Sequence, residues 1–205
     1  MRNLYELRGK INKTGETRMT DEKYVYLLHE QKIIKPKIED VIPYVLDGDM
    51  RNIALDFCAY LRANNMKLVW ANENGWRATY NGKIICSIRL ATDSWKKSKH
   101  LKDMYGNHSW NVTPYIERNL NKYEHIIMNE GLQNFIWDNV HKCMFCRTPC
   151  HGKMPPYRDK VVLGKKIEKI CHGRELTWVF DPDEAAIDCI KRLLELEKQA
   201  RDNNG

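Results

Sequence analysis

The sequence contains no hydrophobic run long enough to cross a membrane. Its uninterrupted apolar stretches cover only a few of its 205 residues, whereas a transmembrane helix needs roughly 20. The first eight residues, MRNLYELR, also lack the apolar core of a secretory signal. These absences predict a soluble, cytoplasmic protein with no membrane partner.

The chain also lacks the short motifs that identify common enzyme classes. It has no Gly-x-Ser-x-Gly elbow, no glycine-rich phosphate loop followed by lysine, no Gly-x-Gly-x-x-Gly and no His-Glu-x-x-His. Hydrophobic residues make up 42% of the chain and charged residues 30%, as in an ordinary globular protein rather than a disordered one. The sequence therefore predicts a folded protein but identifies no reaction.

The net charge is concentrated in one segment. The chain carries 34 basic and 27 acidic residues, a formal net charge of +7. Residues 141–174 contain nine basic and two acidic residues, so this segment accounts for the whole excess. A basic segment can bind nucleic acid or another anionic partner. It can equally offset the negative charge of metal-bound thiolates, and both interpretations stay open.

Four of the seven cysteines lie in the same basic segment, in the pattern Cys-x2-Cys-x3-Cys-x20-Cys. Two cysteines separated by two residues can bind one metal across a tight turn, and two more complete a tetrahedral site. Such a site stabilises a segment that has too little apolar surface to fold alone. The pattern predicts a structural zinc site formed by Cys143, Cys146, Cys150 and Cys171.

Other chemistry fits the same cysteines. Four thiolates can hold an iron–sulfur cluster, and His151 or His172 could replace one sulfur ligand. If one cysteine did not bind, a zinc-bound water could support an enzymatic reaction. Free thiols are a further alternative. The three remaining cysteines, Cys58, Cys86 and Cys189, fall in apolar patterns and are expected in the core.

Hydrophobic periodicity predicts an α+β fold in which a small antiparallel sheet packs with helices. Residues 1–47 form a partly irregular N-terminal segment with a short helix, and residues 48–140 form the α+β domain. Residues 141–200 form the Cys-rich, metal-clamped segment and a C-terminal helix that packs on the domain. Strands are predicted at 67–71, 76–80, 83–90 and 109–112. Helices are predicted at 20–31, from residue 49, from Thr113 (its cap, followed by Pro114), from residue 132 and after an Asp181 cap. Pro36 and Pro43 bracket a connector.

The Asn81-Gly82 pair predicts a β-hairpin. It separates two strand-like runs, and both residues readily take the positive φ of a type I′ turn. Pairing Tyr80 with Lys83 sets the register and places Ala78 opposite Ile85. In that register Arg77 shares a face with Ile84, Cys86 and Ile88, where a charged residue is out of place.

Aromatic residues are concentrated near the predicted sheet. Four of the six tryptophans lie in or near residues 67–112. Rings that line a concave sheet can stack on a planar small molecule, and an arginine can fix its polar group. The alternative is a tryptophan-rich core. On the first interpretation, the predicted ligand-binding residues are Trp76, Arg77, Tyr80 and Trp110.

Two stretches on either side of the cysteine group form a distinctive pattern. The first contains NGWRATYNGK at 74–83 and ICSIR at 85–89. The second contains LGKK at 163–166 before Cys171-His172, then FDPDE at 180–184 and a helix with Cys189. Together they resemble an uncharacterised family of bacterial proteins over roughly residues 48–198. The family has no established activity, so the resemblance implies no catalytic residue.

The sheet-and-helix portion also resembles, at the level of the fold, the small-molecule-binding modules of GyrI-like bacterial regulators. The chain has no recognisable helix-turn-helix, so this resemblance implies a ligand-binding or sensor-like module rather than a self-contained repressor. Residues 1–47 lie outside both resemblances.

Overall fold

Helices cover one face of an antiparallel sheet in the computed structural model, which describes residues 30–91, 105, 107–141, 157–171 and 176–203. The predicted α+β class is confirmed. The helices are α1 (Gln31–Ile34), α2 (Ile38–Val45), α3 (Gly48–Ala63), α4 (Glu124–Asn129), α5 (Leu132–Asp138) and α6 (Glu184–Asp202), with a 3₁₀ helix at Glu117–Lys122. The strands are β1 (Lys67–Asn72), β2 (Gly75–Tyr80), β3 (Lys83–Leu90), β4 (Trp110–Pro114), β5 (Tyr157–Val162), β6 (Lys165–Cys171) and β7 (Val179–Phe180).

Five strands form the main sheet in the order β1-β2-β3-β4-β7, and every neighbouring pair is antiparallel. The short strand β7 reaches β4 from the C-terminal part of the chain, so the last helix begins beside the sheet. Strands β5 and β6 form a separate hairpin. None of the described helices combines the length and the apolar composition that a membrane crossing requires.

The predicted hairpin between β2 and β3 is present, but its register differs from the prediction. Asn81 has φ 48° and Gly82 has φ 73°, as a type I′ turn requires, and Tyr80 pairs with Lys83. A β-bulge then leaves Ile85 without a partner, so Ala78 pairs with Cys86 instead. The predicted Ala78–Ile85 pair is therefore wrong.

The bulge changes the face on which each later residue of β3 lies, because one extra residue reverses the alternation of side chains. Cys86 and Ile88 now lie opposite Ala78 and Trp76, on the face covered by helices. Arg77 lies opposite Ser87, on the other face. The predicted grouping of Arg77 with Cys86 and Ile88 is wrong, and the arginine is no longer out of place.

Two hydrophobic cores stabilise the described part of the fold. The first lies between the sheet and helices α2, α3 and α6, and it includes Phe57, Trp76 and Ile88. The second lies among the 3₁₀ helix, α4, α5, α6 and the β5–β6 hairpin. Helix α6 contributes to both, since Ile190 belongs to the first core and Leu193 to the second. The two cores therefore share one helix.

Three predicted helix boundaries are wrong. Thr113 and Pro114 end strand β4 instead of starting a helix, and helical turns resume at Glu117. Pro43 lies inside α2 rather than in a connector. Asp183, not Asp181, caps α6, because its side chain accepts a hydrogen bond from the Ala186 N–H at 2.8 Å.

The β5–β6 hairpin was not predicted from the sequence. Its turn uses Leu163 at φ 49° and Gly164 at φ 74°, and the strands pair from Val162–Lys165 to Tyr157–Cys171. Leucine rarely takes positive φ, so the turn lacks the signal that Asn-Gly gives. The hairpin places the backbone of Cys171 beside Tyr157, the residue at which segment 142–156 joins β5.

Candidate binding site on the polar face of the sheet

The face of the sheet opposite the helices carries polar side chains at alternate positions of three neighbouring strands. Arg77, Ser87 and Thr113 form one row across β2, β3 and β4, and Arg89 and Asn111 form the next row across β3 and β4. We call these five residues the polar face. Each alternates along its strand with side chains of the first core, such as Ile88 and Val112.

The two arginines of the polar face have no counter-charge in the described part of the chain. Arg77 is exposed and Arg89 is half-buried. The Arg89 Nη1 donates to the Tyr105 hydroxyl at 3.3 Å, and its guanidinium lies 6.0 Å from the centre of the Tyr105 ring. Arg77 and Arg89 are diagonal neighbours on paired strands, a spacing that long side chains can bridge. They can therefore reach a common anionic group.

Asn111 is the buried polar centre of this face. Its side chain is 4% exposed, and its Nδ2 donates to Thr113 Oγ1 at 3.3 Å. Its Oδ1 has no hydrogen-bond donor among the described residues. Leaving a buried acceptor unsatisfied costs about 1–3 kcal/mol. The amide oxygen is thus an unsatisfied acceptor beneath the surface, and a ligand donor reaches it only when the side chains that bury it move aside.

Three aromatic rings lie beside Arg89 and Asn111. Tyr105, Trp178 and Phe180 form a cluster whose ring centres are 5.9–6.2 Å apart. Phe180 pairs with Asn111 across β4 and β7. We call these three residues the aromatic border. Tyr105 and Trp178 are 1% and 8% exposed, so Phe180, which is partly buried, provides the accessible apolar ring next to the positive charge.

Two histidines extend the aromatic border. His108 stacks on Phe180 with ring centres 4.5 Å apart, and His141 stacks on Trp178 at 4.2 Å. The Nδ1 of His108 lies 2.8 Å from Asp181 Oδ2. Asp181 Oδ1 accepts hydrogen bonds from the backbone N–H groups of Ser109 and Trp110. Asp181 thus fixes the orientation of the His108 ring. These hydrogen bonds are a local reason for the left-handed φ of 40° at Asp181.

The structure does not bring the four predicted ligand-binding residues together. Trp76 and Trp110 are 1% and 0% exposed in the first core, as the alternative interpretation expected. The Tyr80 hydroxyl lies 3.0 Å from both carboxylate oxygens of Asp202, and this hydrogen bond raises the pKa of Tyr80. Of the four, Arg77 alone lies on the polar face.

The sequence prediction missed Arg89, Asn111 and Thr113. The signal that could have found them is the strict alternation of polar and apolar residues in SIRL at 87–90 and WNVT at 110–113. The wrong hairpin register concealed it, because it placed Arg77 among apolar residues instead of beside Ser87.

The predicted zinc ligands fall largely outside the described residues. Cys143, Cys146 and Cys150 lie outside them, as do the alternative ligands His151 and His172, and only the backbone of Cys171 is described. Within the described part of the chain, no three His, Cys, Asp or Glu residues are grouped so that they could hold a metal. The zinc site and the iron–sulfur alternative therefore stay predictions.

The cysteines predicted in the core are buried as expected at two positions. Cys58 is 1% exposed and Cys86 is 0% exposed. Burial raises the pKa of Cys58 far above its ordinary value and that of Cys86 to about 12. Because the thiolate is the reactive form, both thiols are chemically inert at neutral pH. Cys189 is half-buried and packs against the second core.

Contacts within the fold offset part of the charge in the described part of the basic segment. Lys160 Nζ lies 2.6 Å from Glu117 Oε1. Lys166 Nζ lies 3.8 Å from Asp159 and 3.7 Å from Glu168. Lys165 lies over the Trp137 ring at 4.9 Å. These contacts reduce the charge available to phosphates, so the nucleic-acid interpretation gains no support from the hairpin.

No family model, curated protein or solved structure matches this chain. The resemblances described from the sequence therefore stay predictions, and the polar face is interpreted from its own geometry.

Proposed function

We propose that this protein is a ligand-binding module whose polar face holds a small molecule with a planar ring and an anionic group. One observation carries the proposal: the half-buried Arg89, which has no described carboxylate partner, lies across from the buried and unsatisfied Oδ1 of Asn111. An anion satisfies the arginine, and a donor group on the same ligand satisfies the amide oxygen.

The charge and hydrogen-bonding pattern selects the ligand class. Arginine presents several N–H donors in a plane that matches carboxylate or phosphate oxygens. Arg77 and Arg89 lie on neighbouring strands, so they can bind two oxygens of one such group. Within the aromatic border, Tyr105 and Trp178 are buried, and the partly buried Phe180 offers ring surface beside the arginines. A planar carboxylate or phosphate ester uses all of these features at once.

Phenyl phosphate and benzoate are suitable probes, because each combines a ring with one anionic group. Titrated into ¹⁵N-labelled protein, they should shift the side-chain signals of Arg89 and Asn111. Arg89→Met should weaken binding by about tenfold or more, since hydrogen bonds to charged groups contribute about 1.5–3 kcal/mol. Arg118→Met is the matched control, because Arg118 is exposed in the 3₁₀ helix away from this face.

Two results would contradict this binding site. One is that neither probe shifts Arg89 or Asn111. The other is that Arg89→Met binds the probes as tightly as the Arg118→Met control.

We also propose that a structural zinc ion stabilises the segment next to the β5–β6 hairpin. Two features of the described backbone support this. Segment 142–156, which contains three of the cysteines, joins β5 at Tyr157, and Tyr157 pairs with Cys171. At its other end this segment joins His141, whose N–H donates to the carbonyl of Leu176, five residues after Cys171. A cytoplasmic location, which keeps thiols reduced, belongs to this proposal.

Elemental analysis of protein purified without oxygen tests the zinc proposal. We expect about one zinc ion per chain, and its loss in Cys143→Ser but not in Cys189→Ser. Less than about half an equivalent of any metal would contradict it. Iron and sulfide with a visible absorption band would instead support the iron–sulfur alternative.

A further inference from the structure

A groove follows the open edge of strand β1. Within the described part of the chain, β1 pairs only with β2, so its other edge has no strand partner. Residues 67–70 of β1 line one wall of the groove, and residues 35–38 line the other. Because consecutive residues of the strand contribute, the groove lies along the strand edge rather than on one face of the sheet.

Both walls of the groove are held in place by hydrogen bonds to the sheet. The Trp76 indole donates to the carbonyl of Pro36 at 2.9 Å. The buried side chain of Gln31 accepts from the Trp70 indole at 3.1 Å and from the Asn74 N–H at 2.8 Å. The groove is therefore preformed, and a partner does not have to bear the entropic cost of ordering it.

The groove is positively charged. Lys35, Lys37 and Lys67 are exposed, and none lies within ion-pair distance of a described carboxylate. Arg62 also lines the groove, but Glu39 binds it through two hydrogen bonds of 2.6 and 2.9 Å. No aspartate or glutamate is among the lining residues. An acidic partner therefore has Lys35 and Lys67 to bind, together with Lys37, which interacts with Glu39 only from beyond ion-pair distance.

The groove also exposes apolar surface. Val69, which lines the groove on β1, is 43% exposed. The cavity volume is about 250 Å³, below the roughly 300–1,000 Å³ of small-molecule pockets. Because the groove also runs along a strand edge, it suits an extended chain.

We propose that an extended, acidic peptide segment of a partner protein binds in this groove and pairs with the open edge of β1. Main-chain hydrogen bonds to β1 supply affinity, and alternate side chains supply specificity. Carboxylates on the peptide bind Lys35, Lys37 and Lys67, and its apolar residues contact Val69. The same lysines repel a basic strand, including the same edge of a second copy of this chain, which protects the edge against self-association.

A fluorescent peptide of about eight alternating Glu and Val residues, near the length of a natural strand, is the probe. Fluorescence anisotropy should show binding that weakens with added salt. A peptide with Lys in place of Glu should not bind. Reversing the three groove lysines (Lys35→Glu, Lys37→Glu and Lys67→Glu) should weaken binding about tenfold or more. Reversing Lys165, Lys166 and Lys169 on the hairpin makes the same change in net charge and should leave binding within about twofold.

Hydrogen exchange on the unmodified protein provides a test that does not depend on a variant's folding. Bound peptide should slow exchange of those backbone amides in residues 67–70 that point to the open edge, because strand pairing protects them. Protection at another surface, or equal binding by the two triple variants, would overturn the proposal. It would also be overturned if β1 paired with a second copy of the chain, seen as a dimer by sedimentation that the peptide does not dissociate.

Discussion

The helix-covered side of the molecule and the polar face are built on the same strands, but they differ in how fully their polar groups are hydrogen-bonded. On the helix-covered side, Glu197 is 1% exposed and has three partners: Asn119 Nδ2 at 2.9 Å, Arg201 Nε at 2.8 Å and the Tyr123 hydroxyl at 2.9 Å. The Trp110 indole is an exception there, since its N–H has no described acceptor.

On the polar face, Arg77 and Arg89 have no described counter-charge, and Asn111 Oδ1 has no described donor. A buried unsatisfied acceptor such as Asn111 Oδ1 reduces stability rather than increases it. Stability therefore explains the choice of polar residues on the helix-covered side but not on the polar face. Residues that weaken a fold are expected where a binding site is built.

Removing Glu197 should have the largest effect on stability. Glu197→Ala leaves Arg201 and Tyr123 without their buried partner, and breaking a buried ion pair costs about 3–5 kcal/mol. Urea denaturation followed by circular dichroism measures the loss. Glu197→Gln keeps the size of the side chain and should lose less. If Glu197→Ala were as stable as the wild type, the claim that this side depends on satisfied polar groups would fail.

Adjacent residues of β3 allow the two faces to be compared directly. Ile88 is 1% exposed in the first core, and Ile88→Ala should cost about 2–5 kcal/mol because it leaves a cavity. Ser87 lies on the polar face, and Ser87→Ala should change the free energy of unfolding by less than about 0.5 kcal/mol. Similar losses for the two variants in urea denaturation would show that the faces are not distinct.

Replacing polar-face residues with apolar ones should separate stability from binding. Asn111→Leu combined with Thr113→Val removes both partners of one hydrogen bond together with the unsatisfied oxygen, so stability should be unchanged or rise by about 1 kcal/mol. Binding of phenyl phosphate should be lost. Thermal denaturation and the NMR titration measure the two effects. A variant that is less stable but binds normally would refute the contrast between the faces.

The smallest effect concerns a paired surface charge. The hydrogen bond from Arg192 holds the pKa of Glu130 below its ordinary value. A depressed carboxyl pKa adds stability above the unfolded-state value near pH 4.5, and this stability is lost as the pH falls through the folded-state pKa. Both side chains are about one third exposed, so the contribution is below about 1 kcal/mol.

Arg192→Met should remove this pH-dependent contribution, whereas Arg89→Met should leave the pH dependence of stability unchanged, because Arg89 has no described carboxylate partner. Denaturation midpoints measured from about pH 3 to pH 7, the range that covers the titration of carboxyl groups, provide the test. If Arg89→Met lost stability above pH 5, roughly where carboxylates are ionised, then Arg89 would have a carboxylate partner after all.

The fold class and most strands were predictable because their signals are local. The type I′ turn at Asn81-Gly82 and the apolar spacing of α3 depend on neighbouring residues only. The bulge at Ile85 was not predictable, because the choice of partner depends on which face packs against helices. The same applies to Asp181, whose carboxylate accepts hydrogen bonds from residues about 70 positions away instead of capping a helix.

The candidate site was harder to predict for the same reason. Arg77 was identified, but Trp76 and Trp110 are indistinguishable from ligand-stacking rings until the register is known. Asn111 and Phe180 come from strands far apart in the sequence that meet only in the sheet. A tryptophan is conspicuous in a sequence, whereas an alternating asparagine is not.

Helix α6 has a consequence for how the molecule forms. Because Ile190 and Leu193 belong to different cores, neither core can close until residues 184–202 have been synthesised. Early segments must therefore wait, with their apolar surfaces exposed, for a late one. A nascent chain that stalls before this helix is a natural substrate for chaperones. Cleavage of the chain near residue 183 should destabilise both cores together.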